Sequence, residues 1–192
     1  MPDLLIELLS EEIPARIQGF AAQELRKNML SFLAEQGLSE IAATAFSTPR
    51  RLTLFVTDLP EKSDDFIEER KGPRVDAPQK ALDGFLRSVD LKLDQLTVKR
   101  DGNVDKYFAS IKTPGRISTQ IVAEALEKTI RTFPWPKSMR WGVSSLRWVR
   151  PLKGILCIFI KDADHKVINL QIDGIRSDSC TTGHRFMAPE FF

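Results

Sequence analysis

The chain has 192 residues, 42% of them hydrophobic and 28% charged, and its formal net charge is +2. This balance is typical of a folded globular protein and excludes an intrinsically disordered one, while the length allows one large domain or two small ones. No apolar run approaches the roughly 20 residues that a membrane-spanning helix requires, so the composition also argues against a transmembrane protein.

The first predicted elements are a strand and a long helix. Residues Asp3–Leu9 are apolar except for Glu7 and predict a strand that is buried on both faces. Ser10, two acidic residues and Pro14 follow, which predicts a helix start with a capping side chain and acids in its first turn. Apolar residues then recur at helical spacing until Gly37, where we expect the helix to end.

Two strands and a charged connection follow this helix. The β-branched and aromatic segments Ala43–Ser47 and Leu52–Val56 predict two strands joined by a turn. Residues 61–78 are highly charged and contain glycine and proline, which predicts a surface connection and a domain boundary. We therefore expect an N-terminal strand–helix–strand unit over 1–60, and a second α/β unit over 79–192 that is truncated at its C-terminus.

The second unit is predicted to contain two helices and four strands. In chain order these are a helix over Lys80–Val89, a hairpin of Thr97–Arg100 and Tyr107–Ile111 around Asp101–Asn103, a helix capped by Ser118 and ending at Phe133, and the strands Gly154–Ile160 and Val167–Ile172. Helices and strands alternate, hairpins included. The expected class is therefore α+β or mixed α/β, with antiparallel or mixed sheets, packed helices and room for two small subdomains.

The most informative segment lies between Glu127 and Asp162, where the chain has no acidic residue. All three tryptophans, Trp135, Trp141 and Trp148, lie in this basic segment (128–161). It also holds eight cations, namely Lys128, Arg131, Lys137, Arg140, Arg147, Arg150, Lys153 and Lys161. Because the whole chain carries a net charge of only +2, a strongly positive segment stands against an acidic remainder.

Three interpretations of the basic segment remain open. The tryptophans can be core residues flanked by solvated cations, which is the usual meaning of a charge run. Alternatively, guanidinium groups can bind phosphate oxygens while aromatic rings stack on bases, which would make the segment a nucleic-acid surface. Finally, tryptophan and arginine are typical anchors of protein–protein interfaces.

No motif for catalysis or metal binding accompanies this segment. The chain lacks a glycine-rich phosphate loop and an HExxH pair, and its two cysteines make neither a disulfide framework nor a zinc site. A buried Cys157 and a loop Cys180 indicate a reducing, cytoplasmic setting. His165 is expected to be a solvated loop residue and His184 a hydrogen-bonded one. Catalytic residues and metal ligands are therefore not expected.

Several motifs together resemble the β subunit of the bacterial heterotetrameric glycyl-tRNA synthetase. They are Leu4–Leu8 running into Ser10–Ala15, Ser47–Leu52, Lys71–Pro73, Pro136–Gly142, Arg147–Pro151 and Thr182–Phe186. Each motif is weak alone, but their order across the whole chain makes the resemblance specific. The resemblance implies that this chain is an N-terminal fragment, because the family's β chain is several times longer.

The resemblance also implies a function. In this family the α subunit activates glycine with ATP and Mg²⁺, while the β subunit binds tRNA(Gly) and is needed for its aminoacylation. The enzyme is an α2β2 assembly, and an HD-like region and an anticodon-binding region would lie beyond Phe192. Expected partners are the α subunit, tRNA(Gly) and the remainder of the β chain, with no membrane; the alternative is a protein-docking module without RNA contact.

The candidate tRNA contacts follow from the basic segment and this resemblance. They are Lys137, Arg140, Trp141, Arg147, Trp148, Arg150 and Lys153. Further anion contacts are expected at Arg50, Arg51, Lys71 and Arg185. Consecutive residues of a strand point to opposite faces, so at most one of Arg50 and Arg51 is expected to meet a given ligand.

Overall fold

The structure is a computed structural model that describes residues 1–102, 104–184, 186–188, 190 and 192. Asn103, in the predicted hairpin turn, and Arg185, a predicted anion contact, lie outside these described residues. The chain forms two compact units, Met1–Ser63 with Arg116–Phe192, and Asp64–Gly115. Within the described ranges, no helix has both the length and the apolar character needed to cross a membrane.

The described residues form ten strands and three α-helices. In chain order these are β1 (Asp3–Ser10), α1 (Ala15–Glu35), β2 (Ala42–Thr48), β3 (Arg51–Thr57), β4 (Phe66–Arg74), α2 (Gln79–Val89), β5 (Leu96–Asp101), β6 (Val104–Thr113), α3 (Ser118–Arg131), β7 (Leu152–Lys161), β8 (Asp164–Val167), β9 (Gln171–Ile172) and β10 (Ile175–Asp178). A short 3-10 helix, Leu93–Gln95, precedes β5. The predicted α+β class is confirmed.

The first unit is built on a mixed sheet in the order β2-β3-β1-β7-β10-β9, with β8 paired to β7. Strand β1 lies antiparallel to both β3 and β7, whereas β10 runs parallel to β7. The predicted pair of strands after the long helix is confirmed, since β2 and β3 form an antiparallel hairpin. The predicted last strand, 167–172, is divided, because β8 ends at Val167 and β9 begins at Gln171.

The core of the first unit lies between one face of this sheet and the helices α1 and α3. Leu4 and Ile6 of β1 are fully buried and belong to the same hydrophobic cluster as Leu25 of α1 and Leu126 of α3. Burying each such side chain contributes about 1.5–3 kcal/mol. The alternate residues of β1, including Glu7, are only partly buried. The prediction of a strand buried on both faces is therefore wrong.

The two long helices begin differently from the predictions. The N-cap of α1 is Pro14, without a side-chain hydrogen bond, and its first turn has no acidic residue. Ser10 instead ends β1, and the backbone N–H of Glu11 donates to the carbonyl of Pro151 at 3.0 Å. The N-cap of α3 is Ile117 rather than Ser118, whose hydroxyl donates to the carbonyl of Pro60. The Ser118 hydroxyl is thus used in a long-range contact, whereas the Ser10 hydroxyl donates to the neighbouring carbonyl of Glu11.

The second unit consists of the sheet β4-β6-β5 and helix α2. The predicted connection over 61–78 contains the strand β4, an edge strand whose register shifts between Lys71 and Arg74. Edge strands and bulges tolerate proline, which explains how Gly72 and Pro73 fit into a strand. The two units consequently differ from the predicted units 1–60 and 79–192.

Candidate nucleic-acid interface

The irregular chain after α3 is organised by an aromatic cluster and a short backbone pairing. The rings of Phe133 and Trp135 stack at 4.4 Å, and Trp148 meets Trp135 edge-on at 4.8 Å. Met139 and Trp148 form an isolated antiparallel bridge. Because Arg140 and Arg147 adjoin the bridged residues, this pairing brings the two arginine-bearing segments side by side.

The tryptophans are mainly structural. Trp135 is 9% exposed and Trp148 is fully buried, and both belong to the hydrophobic core. Trp148, predicted as a tRNA contact, therefore has no ring face on the surface and supports the segment from beneath. Trp141 is partly buried and packs against the same core, so it is less enclosed than Trp135 and Trp148.

Four cations of the basic segment are exposed and have no ion pair with a carboxylate among the described residues. They are Lys137, Arg140, Arg147 and Arg150. Arg147 donates from Nε to the hydroxyl oxygen of Ser138 at 3.3 Å, and Arg150 donates to the carbonyl of Val149 at 3.1 Å. These neutral acceptors orient the two guanidinium groups without cancelling their charge.

The other four cations of the basic segment have partners. Lys128 lies over the ring of Phe32 at 4.8 Å, Arg131 pairs with Glu127 at 2.8 Å, Lys153 with Glu11 at 3.1 Å, and Lys161 with Glu61 at 2.6 Å. The hydrogen bond and charge of Lys161 lower the pKa of Glu61, so that carboxylate remains ionised. The positively charged surface therefore involves fewer cations than the eight in the basic segment. Because Lys153 is paired with Glu11, it contributes less to the positive potential than the four unpaired cations.

The additional predicted anion contacts are largely engaged by acidic side chains. Arg51 pairs with Glu7 at 3.0 Å, and Arg50 lies 3.8 Å from Glu11. In the second unit, Lys71 and Lys106 both contact the carboxylate of Asp101. An anion at Arg50, Arg51 or Lys71 would have to displace a carboxylate, whereas Arg185 lies outside the described residues.

A cleft brings the basic segment together with the first turn of α1. Arg16, Lys137 and Arg150 line this cavity of about 390 Å³, with Ser138 and the apolar residues Pro14, Ile17, Pro136, Met139 and Val149. Arg16 was not among the predicted contacts, because its proximity to Lys137 depends on tertiary folding. No local pattern singled Arg16 out, because the helix was predicted to start at Ser10 with acids in its first turn, whereas α1 begins at Ala15.

Asp173 is a second residue that the sequence patterns did not single out. Its carboxylate accepts hydrogen bonds from the hydroxyls of Ser144 and Ser145 and from the backbone N–H of Leu146. Asp173 has a positive φ of 55°, a conformation that aspartate tolerates better than most residues. The carboxylate thereby holds the loop that leads into Arg147.

The two histidines have different surroundings. Nδ1 of His184 accepts hydrogen bonds from the backbone N–H groups of Phe186 and Met187, at 3.3 and 3.4 Å. His165 is exposed on β8. No group of three or more histidine, cysteine, aspartate or glutamate side chains that could hold a metal ion is found among the described residues.

Comparison with known proteins identifies the family. The family model of the glycyl-tRNA synthetase beta subunit matches residues 4–192. The glycine–tRNA ligase beta subunits of Cereibacter sphaeroides and a Ruegeria species are 55% and 54% identical over 192 residues, which is all of this chain and 28% of each relative. That of Phenylobacterium zucineum is 53% identical over 188 residues, covering 98% of this chain and 27% of the relative.

These matches place the chain among the subunits of aminoacyl-tRNA synthetases. It belongs to the glycyl-tRNA synthetase beta subunit family, and the resemblance seen in its sequence motifs is confirmed. The chain spans only about 28% of the length of the first curated relatives it matches.

Proposed function

We propose that this chain is the part of a glycine–tRNA ligase β subunit that helps to hold tRNA(Gly). It would act within an α2β2 enzyme that attaches glycine to tRNA in the cytoplasm, with glycine activation by ATP and Mg²⁺ on the α subunit. Its partners would be tRNA(Gly), the α subunit and the remainder of the β chain. In this proposal the chain binds RNA and assembles with protein, while the bond-making chemistry takes place elsewhere.

The observation that carries the RNA-binding proposal is the set of unpaired cations Lys137, Arg140, Arg147 and Arg150. Within the described ranges they have no carboxylate partner, although the chain as a whole is nearly neutral. Exposed cations without counter-charges concentrate positive potential and attract a polyanion. Each arginine can also donate two hydrogen bonds to two oxygens of one phosphate. This geometry suits the phosphates of a nucleic-acid backbone better than a monatomic anion.

Binding of tRNA(Gly) as a function of salt tests this proposal. Contacts between cations and duplex phosphates give a log–log slope of about −0.9 per contact, so four contacts predict a slope of roughly −3 to −4. The double variant Arg140→Ala/Arg147→Ala should weaken tRNA binding and reduce the magnitude of this slope by about 2. The control Arg26→Ala/Arg131→Ala removes the same charge from exposed positions of α1 and α3.

The proposal requires the two double variants to differ. If the variant at Arg140 and Arg147 binds tRNA like the control and has the same salt slope, net charge alone explains binding. If the unmodified chain shows no salt-sensitive binding to tRNA, the RNA-holding role has to be abandoned.

A protein-docking role without RNA contact is the second candidate, and the outer face of the main sheet favours it. Phe46 of β2 is 56% exposed there, and the register places Phe55 and Leu5 on the same face. Partly exposed aromatic residues suit a desolvated protein interface. Co-purification with the α subunit in about 0.5 M salt separates the two roles, because screening weakens phosphate contacts far more than apolar docking.

A further inference from the structure

The cleft between α1 and the basic segment has an unusual distribution of charge. Arg16, Lys137 and Arg150 line it, and no carboxylate is found among its described lining residues. None of these three side chains forms an ion pair with a carboxylate anywhere in the described part of the chain. A concave surface with three uncompensated cations favours a bound anion more strongly than a flat one, because its low-dielectric walls focus the potential.

The rest of the lining is mainly apolar. Ile17, Met139 and Val149 contribute hydrophobic side chains beside the hydroxyl of Ser138. A small inorganic anion would leave these apolar side chains without a partner. A nucleotide matches both parts, since its phosphate needs cations while its base and ribose can pack on apolar side chains. The volume of about 390 Å³ also falls within the roughly 300–1,000 Å³ typical of ligand pockets.

We infer that this cleft is a subsite for one nucleotide, with its phosphate at Arg16, Lys137 and Arg150 and its base or ribose against Ile17 and Met139. Such a subsite rests on the proposed function, because tRNA would supply the nucleotide as part of its chain. A free nucleotide has the same chemistry and is the other possible source. Arg16 thereby becomes an RNA-contacting residue contributed by α1, remote in sequence from the basic segment.

A charge-matched pair of variants on one helix tests this subsite. Arg16→Gln removes a cation that lines the cleft, whereas Arg26→Gln removes an exposed cation of α1 whose Nε donates to the carbonyl of Ala43. The probes are a short single-stranded RNA oligonucleotide and AMP, each titrated against this chain. Binding is followed by fluorescence anisotropy for the RNA and by amide chemical shifts around Ile17 and Met139 for AMP.

Arg16→Gln should weaken oligonucleotide binding about tenfold, which is the expected effect of losing one charge-assisted hydrogen bond. It should also lower the magnitude of the log–log salt slope by about 0.7, the value for one contact on single-stranded RNA. Arg26→Gln should leave both quantities close to those of the unmodified chain. Shifts with AMP that disappear in Arg16→Gln would identify a free nucleotide as a second source.

Equal effects of Arg16→Gln and Arg26→Gln on both probes would overturn the subsite. Lys137→Gln and Arg150→Gln repeat the test at the two cations from the basic segment, and thermal unfolding confirms that each variant is folded. If Arg140→Ala/Arg147→Ala weakens tRNA binding but Arg16→Gln does not, the subsite fails and the proposed function stands. If the cleft variants alone weaken oligonucleotide or AMP binding, the subsite stands and the proposed surface at Arg140 and Arg147 fails.

Discussion

Met139 and Trp148 exchange two backbone hydrogen bonds, with N–O distances of 2.8 and 3.2 Å. Trp148 is fully buried in the core, whereas Met139 is 40% exposed and lines the cleft. The pairing therefore connects the hydrophobic core directly to the surface beside Arg140 and Arg147. A change at the indole ring is expected to alter both the stability of the unit and the placement of these arginines.

Replacing Trp148 with alanine should destabilise the first unit by about 3–5 kcal/mol, the usual cost of removing a large buried aromatic side chain. The ring packs against Phe133 at 5.0 Å and Trp135 at 4.8 Å, so its loss leaves a cavity in the aromatic cluster. Urea unfolding followed by circular dichroism measures the effect. Trp141→Ala is the control. An equal loss of unfolding free energy in both variants would contradict the structural role of Trp148.

Removing the carboxylate of Asp173 should have opposite effects on tRNA affinity through charge and through loop geometry. Asp173→Ala raises the net positive charge, so simple electrostatics predicts tighter tRNA binding. The same substitution frees the loop of Ser144 and Leu146 that leads into Arg147, so the structure predicts weaker binding. Asp173→Asn keeps one acceptor oxygen, which can still receive the bonds from Ser144 and Leu146, and it should therefore bind tRNA more tightly than Asp173→Ala. Tighter binding by Asp173→Ala than by the unmodified chain would show that the loop does not need this anchor.

Elements that follow from local sequence patterns could be predicted, whereas elements and site residues that depend on tertiary contacts could not. The helix over Lys80–Val89 was visible because its apolar spacing is local, and α2 spans Gln79–Val89. Strand β4 was missed because its charged residues pair across the sheet, as Glu69 does with Lys99. Arg16 was missed for a similar reason, since no local pattern reports that the first turn of α1 faces Lys137.

Gly72 in the second unit should not tolerate a side chain. A Cβ atom at Gly72 would lie 2.5 Å from a ring carbon of Phe85, and such overpacking costs typically about 1–3 kcal/mol. Gly84 of α2 is the matched control, because a Cβ there would meet no atom within 4 Å. Gly84→Ala should stabilise the helix by about 0.5–1 kcal/mol.

Tyr107, the single tyrosine, lies on β6 of the second unit and can report on both glycine variants. Fluorine NMR of a labelled Tyr107 during urea unfolding should show a lower midpoint for Gly72→Ala and a higher midpoint for Gly84→Ala. If both substitutions raise the urea midpoint of unfolding, Gly72 does not lie as close to the ring of Phe85 as the structure shows.

Asp101 should make the second unit sensitive to acid. Hydrogen bonds from Lys106 and Lys71 lower the pKa of Asp101 from 3.8 to about 2. Because the folded value lies below the unfolded one, the stabilisation is present above the unfolded pKa and is lost as the pH falls through about 2. The stability difference between the unmodified chain and Asp101→Asn should therefore be constant above about pH 5 and shrink towards pH 2. If the stability difference between the two proteins grew as the pH falls, the lowered pKa of Asp101 would be wrong.

The two cysteines should differ sharply in reactivity. Cys157 is fully buried in β7, and burial raises the pKa of its thiol to about 12, whereas Cys180 is exposed. Because the thiolate is the reactive form, a disulfide reagent at about pH 8 should label one thiol quickly in the folded chain and the second only after unfolding. Cys180→Ser should abolish the fast reaction. Rapid labelling of two thiols in the folded chain would mean that β7 opens readily, which is incompatible with its position between β1 and β10 in the sheet.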